Sequence, residues 1–549
     1  MSKILRVWFF VFITSSLFMM RPASAAEGSN GSLVSIEWLA NNLNRNDVVL
    51  IDASFVQLYA AKHISGAVNV DVFSFGGREN LATEMERRIQ SWGVSAGKKV
   101  VIYDEGGSYM ATNLFFDLYY HGFPPGDLLV LDGGLAKWQA TGGAVTKDAT
   151  PAPKPGTFRV GKLKEEVRVR LPEFLVASGD PVNNALVEAL GPDQHFGGAK
   201  FFDRAGHIPN AIMAPSADFF NADKTFKSAG EIRRMLTYLG VKPGQQIYSH
   251  CGGGIAASLP FFAAKFMLNY PRVKLYKESQ LEWLRDDRGL PFWTYDAPNM
   301  TREKSWLNGW GSPMLRSFGV AKLNVVDVRP AEAYQQGHVP YAVNIPADVF
   351  KRNLAKPAKL AAVLSAAGVD AAFETVVVSD GGLNSSSALA FLMLEKMGQK
   401  KVSVLTDSVD DWGLGGFTLT KEATIVGAGK SPQELAIPVT TYQANVRPGI
   451  VISDPQSTHG PYPKVYIASG KTVPDKVQDG KVIHVPYTDL LNAEGTPKAA
   501  KDIWTILVKA GLPRYAEIIC FADDPGEAAA NYFILKLLGY PDVKVLVTT

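Results

Sequence analysis

One seven-residue pattern occurs three times, and it governs what this chain can fold into, because a motif repeated at domain-scale spacing means a repeated folding unit. The copies are Lys62-His63-Ile64-Ser65-Gly66-Ala67-Val68, Gly206-His207-Ile208-Pro209-Asn210-Ala211-Ile212 and Gly337-His338-Val339-Pro340-Tyr341-Ala342-Val343. Each is followed by an apolar run that stops at a loop of small residues. These runs are Val100-Val101-Ile102-Tyr103-Asp104-Glu105-Gly106-Gly107, Ile247-Tyr248-Ser249-His250-Cys251-Gly252-Gly253-Gly254 and Val376-Val377-Val378-Ser379-Asp380-Gly381-Gly382. The spacing is nearly constant: 41 residues from His63 to Asp104, 44 from His207 to Cys251 and 42 from His338 to Asp380. A tryptophan closes each copy, Trp138, Trp283 and Trp412, at 34, 32 and 32 residues beyond the loop.

A fourth, degenerate copy ends the chain. Ile518-Ile519-Cys520-Phe521-Ala522-Asp523-Asp524-Pro525-Gly526-Glu527 repeats the strand and loop, and Ala528 to Leu538 reads as the helix after it, without a histidine motif. Polar or proline-rich stretches at Thr146–Pro155, Asp296–Lys304 and Thr420–Pro432 suit linkers. The expected modules are therefore 32–147, 165–296, 305–420 and 438–549. Within a copy, Val/Ile-rich runs such as Val48-Val49-Leu50-Ile51-Asp52 alternate with helical segments such as Leu81 to Trp92. That alternation predicts an α/β fold of mainly parallel sheets flanked by helices. Ligands bind such sheets outside the carboxyl ends of the strands, where the Asp104, Cys251, Asp380 and Asp523 loops fall.

Composition narrows the chemistry. Two cysteines among 549 residues cannot form a disulfide framework, and no Cys/His spacing matches a metal site, so no metal is expected. Lys3 and Arg6 precede an apolar run from Val7 to Met20, and Ala23-Ser24-Ala25 supplies small residues for cleavage, so residues 1–25 read as a secretory signal. The expectation is a periplasmic or secreted protein with no membrane anchor after cleavage. Lys3, Arg6 and Arg21 are the charged residues of that segment, so the formal charge of +3 falls to zero without it. An uncharged balance gives no electrostatic case for nucleic-acid or anionic-membrane binding.

The His-Ile-Pro-x-Ala motif, the strand-loop-helix with a cysteine in the loop, and Asp132-Gly133-Gly134-Leu135-Ala136-Lys137-Trp138 together resemble rhodanese domains, the fold of thiosulfate and 3-mercaptopyruvate sulfurtransferases. The resemblance covers three copies clearly and the fourth loosely. It implies tandem rhodanese modules in which a cysteine carries sulfur as a persulfide, with no other cofactor. It also implies that Asp104, Asp380 and Asp523 stand at the cysteine position, leaving those copies inactive, with the aspartates capping the following helices.

The residues support the same chemistry. Passing sulfane sulfur in two steps needs a nucleophile that both accepts and releases it, which a thiolate does readily. Cys251 is the expected nucleophile. Gly252, Gly253 and Gly254 let backbone N–H groups turn toward its sulfur, and a helix beginning near Ala256-Ala257-Ser258 aims its positive end there. Such surroundings lower a free thiol's pKa of about 8.5, so a low-pKa thiolate is expected. Cys520 lies in an apolar run and reads as a buried strand thiol; a Cys251–Cys520 disulfide is the alternative state.

The loop Cys251-Gly252-Gly253-Gly254-Ile255-Ala256 carries no charge and no arginine, which disfavours phosphatase chemistry. It is similar to the Cys-Gly-Ser-Gly-Val-Thr loop of mercaptopyruvate sulfurtransferases, with Gly253 and Ala256 in place of the hydroxyl residues. Gly252, Gly253, Gly254, Ile255 and Ala256 are the expected substrate contacts. The family's two arginines before the His-Ile-Pro motif have His195 and Lys200 as nearest matches here, with Arg204 as a further cation. His207 reads as a structural histidine, His250 as either a tuning group or a residue facing away, and Trp283 as core. Two functions follow. One is a sulfurtransferase moving sulfur from thiosulfate, 3-mercaptopyruvate or a persulfide to a thiol, cyanide or protein acceptor; the other is a sulfur carrier or scaffold with slow turnover.

Overall fold

The computed structural model describes residues 31–74, 80–428, 434–475, 477 and 480–547; the expected signal at 1–25 lies outside them. No helix among the described residues is long and apolar enough to cross a membrane.

Among the described residues, four five-stranded sheets follow one another along the chain. Numbering the strands of each in chain order, all four have the spatial order 1-5-4-2-3, and every pairing within them is parallel. In the second module the strands are Arg168–Val169, Asn184–Glu188, Ala211–Met213, Gln246–His250 and Val273–Tyr276. The degenerate fourth copy is thus complete in topology, with Val451–Ile452, Lys464–Ala468, Lys481–His484, Glu517–Phe521 and Val543–Leu546. Strand 4 is central and buried on both faces, so its sequences, such as Lys99–Tyr103 (KVVIY) and Glu374–Val378 (ETVVV), are continuous apolar runs. Helices cover the sheets, several opened by capping boxes, as at Ser228 with Glu231 and Ser408 with Asp411.

All three expected linkers carry structural elements. Thr301–Arg302 is the first strand of the third sheet, so that module begins before residue 305. Thr146, Trp293 and Thr420 each form a backbone bridge to the motif histidine of their module, His63, His207 and His338. A single polar stretch can look like a tether in sequence because its binding is done by backbone groups, which leave no side-chain signature.

Module one packs on module two and module three on module four, and modules two and four also meet, where Tyr238 and Asp218 bond to Ala516 and Tyr515. In the first pair, helix Met110–Tyr120 is buried on almost every side and meets helix Ser258–Phe262 and the π turn Ala263–Met267 that continues it. Phe115 and Phe116 pack edge-to-face on Phe262, Phe266 and Phe261 at 4.8–5.0 Å. A buried ion pair crosses the same seam, Lys277 Nζ to Asp117 Oδ1 at 3.1 Å, with Asn113 Oδ1 accepting a further bond at 2.8 Å. Modules three and four share a second core through Ser385–Lys396 and Pro525–Leu537, where Phe391 meets Phe533 at 4.8 Å. The cysteine-position loop of every module opens one of these seam helices.

Candidate active site

Strand Gln246–His250 ends at Cys251, and the chain folds there so that main-chain amides turn onto the sulfur. Gly254 donates its N–H to Sγ at 3.1 Å, and the amides of Ala257 and Gly253 act on the same atom. Ser279 completes the cradle: its Oγ accepts the Cys251 N–H at 3.1 Å and donates to the Tyr276 carbonyl at 2.7 Å. Ser279 has φ +52°, a left-handed conformation that costs a non-glycine residue of order 1 kcal/mol and here places its hydroxyl under the loop. Gly254, at φ +83°, is required by space as well, since a Cβ there would lie 1.8 Å from the Lys277 carbonyl. Gly252 lies under Phe202 and Leu190, whereas a Cβ on Gly253 would meet nothing within 4 Å. Of the expected substrate contacts, Gly253 and Gly254 thus offer amides, Ile255 and Ala256 only line the turn, and Ala257 and Ser279 were missed.

The sulfur is deeper than expected. Cys251 is 2% exposed, and burial pushes its thiol above the ordinary value, against the pull of the Ala257, Gly254 and Gly253 amides. The expected low-pKa thiolate is corrected accordingly: desolvation disfavours the charged form by more than the three amides favour it. Cys251 and Cys520 are both free thiols, and they lie in different cores, so the disulfide alternative is excluded. Burial in strand Glu517–Phe521 also pushes Cys520 up, as suits an inert thiol.

Two of the three cations expected at the site are committed elsewhere. His195 is fully buried, with Nδ1 on the Glu188 carboxylate and Nε2 2.5 Å from Asp296 Oδ1. Burial alone would depress this imidazole, but Asp296 and Glu188 together hold it at about 9, so it is a buried imidazolium between two carboxylates. It is not a substrate ligand. Arg204 is committed to the carbonyls of Trp283, Leu284, Arg285 and Leu290, clamping the loop after helix Ser279–Trp283. Lys200 is exposed.

His207 stacks on His195 with centroids 3.7 Å apart and planes 1° from parallel, and its Nδ1 lies 2.7 Å from the His195 carbonyl. The sister modules explain this pair. His63 and His338 stack in the same way on Tyr59 and Tyr334, four residues before each. Only in the second module does a histidine replace that tyrosine, displaced to twelve residues before the motif by an inserted loop, which is why spacing concealed it. Burial and the His195 charge hold His207 down at about 4. His195, His207 and Asp296 bring ligand atoms within 4.8 Å of one another, close enough to share a divalent ion. Their ring planes are parallel, however, so the in-plane lone pairs meet at one point only if the rings turn. His250 faces the opposite layer from Cys251, with its ring against Phe174 and Nε2 3.7 Å from Glu188. Trp283 is core, its Nε1 donating to the Pro291 carbonyl at 2.7 Å.

Strand register corrects the assignment of the cysteine position. In all four modules the residue after strand 2 donates to the carbonyl of the last residue of strand 4: Ala53 to Tyr103, Ala189 to His250, Val328 to Val378 and Ser469 to Phe521. The equivalents of Cys251 are therefore Asp104, Ser379 and Ala522; Asp380 and Asp523 are one residue further on. Asp104 does cap, accepting from Gly106 and Ala111 at 2.9 and 3.0 Å, and burial raises its carboxyl to about 7. In the other two modules the caps are Asn384 and Asp524.

Comparison with known proteins agrees with this architecture. The model of the rhodanese-like domain family matches residues 35–141 and 314–414, the first and third modules. The sulfur carrier protein TtuD of Thermus thermophilus is 30% identical over 271 residues, 46% of this chain and 93% of its own length. A probable 3-mercaptopyruvate sulfurtransferase of Pseudomonas aeruginosa is 28% identical over 47% of this chain and 97% of its own. The 3-mercaptopyruvate sulfurtransferase of Escherichia coli is 27% identical over 46% and 94%.

Proposed function

The chain belongs to the rhodanese family of sulfurtransferases, and from that premise we propose that Cys251 is the residue that receives and passes on the sulfur. The observation that carries this reading is the convergence of the Gly253, Gly254 and Ala257 amides on one sulfur atom, in a loop held from below by the Ser279 hydroxyl. In the first step Cys251, having lost its proton to solvent, attacks as thiolate the transferable sulfur of a donor, the outer sulfane sulfur of thiosulfate or a persulfide or the thiol sulfur of 3-mercaptopyruvate. A bond forms between the two sulfurs as the donor's own bond to the transferred atom breaks, and the donor leaves with that electron pair. Cys251 is then a persulfide whose terminal charge faces N–H donors. In the second step an acceptor thiolate or cyanide attacks the terminal sulfur, and Cys251 departs as thiolate. No net oxidant or reductant is consumed.

Buried amides suit both species, because a fixed dipole in a dry site stabilises an anion without reorganising. Thiosulfate, 3-mercaptopyruvate and persulfides are the candidate donors, and export to the periplasm fits the amino-terminal sequence. The first, third and fourth modules offer aspartate, serine and alanine at this position, so they support or bind rather than transfer. The experiment is intact-mass analysis after exposure to each donor. Addition of about 32 Da, one sulfur, in the native protein and none in Cys251→Ala supports the assignment, and turnover with an acceptor separates an enzyme from a carrier. Labelling that survives Cys251→Ala overturns it.

A further inference from the structure

The third module, which has no cysteine, contains an open cavity of about 440 Å³, the size of a small-molecule site. Leu307, Val339, Trp412 and Leu419 give it apolar walls, and Arg316 is its cation. Arg316 sits on the short helix Pro313–Ser317 and is incompletely satisfied: Nε donates to the Gly311 carbonyl at 2.9 Å and Nη1 to Leu323 at 3.3 Å, while Nη2 is buried with no hydrogen-bond partner. Among the described residues no carboxylate pairs with it. Burial pulls the guanidinium down to about 10, the mark of a cation lacking a counter-ion.

A second, independent feature lies on the same wall. Tyr341 holds φ +65° and carries the Arg316 guanidinium over its ring at 4.4 Å. The corresponding motif residues are Gly66 in the first module and Asn210 in the second, also at positive φ, and both types adopt that conformation readily. A bulky aromatic does not, so the third module keeps a strained tyrosine where its sisters avoid one.

We propose that this cavity is a binding site for a small organic anion with one negative charge and an apolar body, its carboxylate or sulfonate held by Arg316 and its body packed between Tyr341, Trp412 and the aliphatic walls. The exposed Glu422 on the lining sets the charge limit, since it disfavours doubly charged anions. The site stands apart from the Cys251 chemistry and gives the third module a sensing or delivering role.

The test is calorimetric titration of the full chain with phenylacetate and 4-methylpentanoate, their primary amides, and sulfate. Saturable binding of the carboxylates is expected, with the amides and sulfate at least tenfold weaker. Arg316→Gln is expected to weaken carboxylate binding at least tenfold and Arg316→Lys less. Tyr341→Gly relieves the backbone, so it is expected to keep or raise the melting temperature while weakening binding. The proposal is overturned if neither carboxylate binds, if the amides bind as tightly as the acids, if Arg316→Gln binds normally, or if Tyr341→Gly unfolds the module at lower temperature and leaves affinity unchanged.

Discussion

Replacing Gly254 by alanine separates the amide cradle from every other feature of the Cys251 loop. The new Cβ would lie 1.8 Å from the Lys277 carbonyl, and an alanine at φ +83° is strained even in open space, so the turn has to move. Moving it withdraws the N–H that Gly254 donates to Sγ at 3.1 Å. A hydrogen bond to a charged acceptor is worth about 1.5–3 kcal/mol, and one pKa unit is about 1.4 kcal/mol. The thiol, already pushed up by burial, is therefore expected to rise by a further one to two units, roughly, and thiolate-dependent reactions at neutral pH to slow by about 10- to 100-fold. Gly253→Ala is the matched control, since its Cβ meets nothing within 4 Å and its φ is ordinary. The assay is the rate of iodoacetamide alkylation from pH 6 to 11, read by intact mass, alongside sulfur loading. Native protein should gain about tenfold in rate per pH unit through neutrality, because its thiol is protonated there. Equal behaviour of the two alanine variants, or a native profile already flat at pH 7, would refute the reasoning.

The His195 imidazolium predicts a specific pH dependence of stability. Its folded pKa of about 9 is above the unfolded value near 6.5, so its contribution is whole below pH 6.5 and disappears as pH rises through 9. Denaturant midpoints should fall over that window by the equivalent of roughly 2–4 kcal/mol, and a His195→Tyr variant, mimicking Tyr59 and Tyr334, should lose that slope; a native protein with level stability from pH 6 to 10 contradicts the ion-pair reading. At the seam of the first two modules, Lys277→Met leaves Asp117 buried without its cation and should cost about 3–5 kcal/mol in urea unfolding. Adding Asp117→Leu should recover most of that loss, and failure to recover would mean that the pair is not what Lys277 contributes.

Recurrence and patterning determined most of the architecture. The histidine motifs, the valine-rich central strands and the closing tryptophans are local signals, and each is imposed by a period or a steric requirement that acts within a few residues. They sufficed to predict parallel modules and to single out Cys251. They did not align the modules to the residue: the loops are read as equivalent at Asp380 and Asp523, whereas the ladder assigns Ser379 and Ala522, because register is fixed by inter-strand hydrogen bonds that composition does not record.

The electrostatics were decided only by the fold. Lys200, His195 and Arg204 look alike in sequence as cations ahead of the motif, yet one is exposed, one is sealed between Glu188 and Asp296, and one clamps four carbonyls. Cys251 shows the same division: its glycines foretold amides around the sulfur, but the depth of its burial belongs to the core that the second module shares with the first. Local sequence specifies which groups are present and how the backbone bends there. The energy of a charge depends on water excluded by residues hundreds of positions away, and that exclusion exists only once the modules have docked.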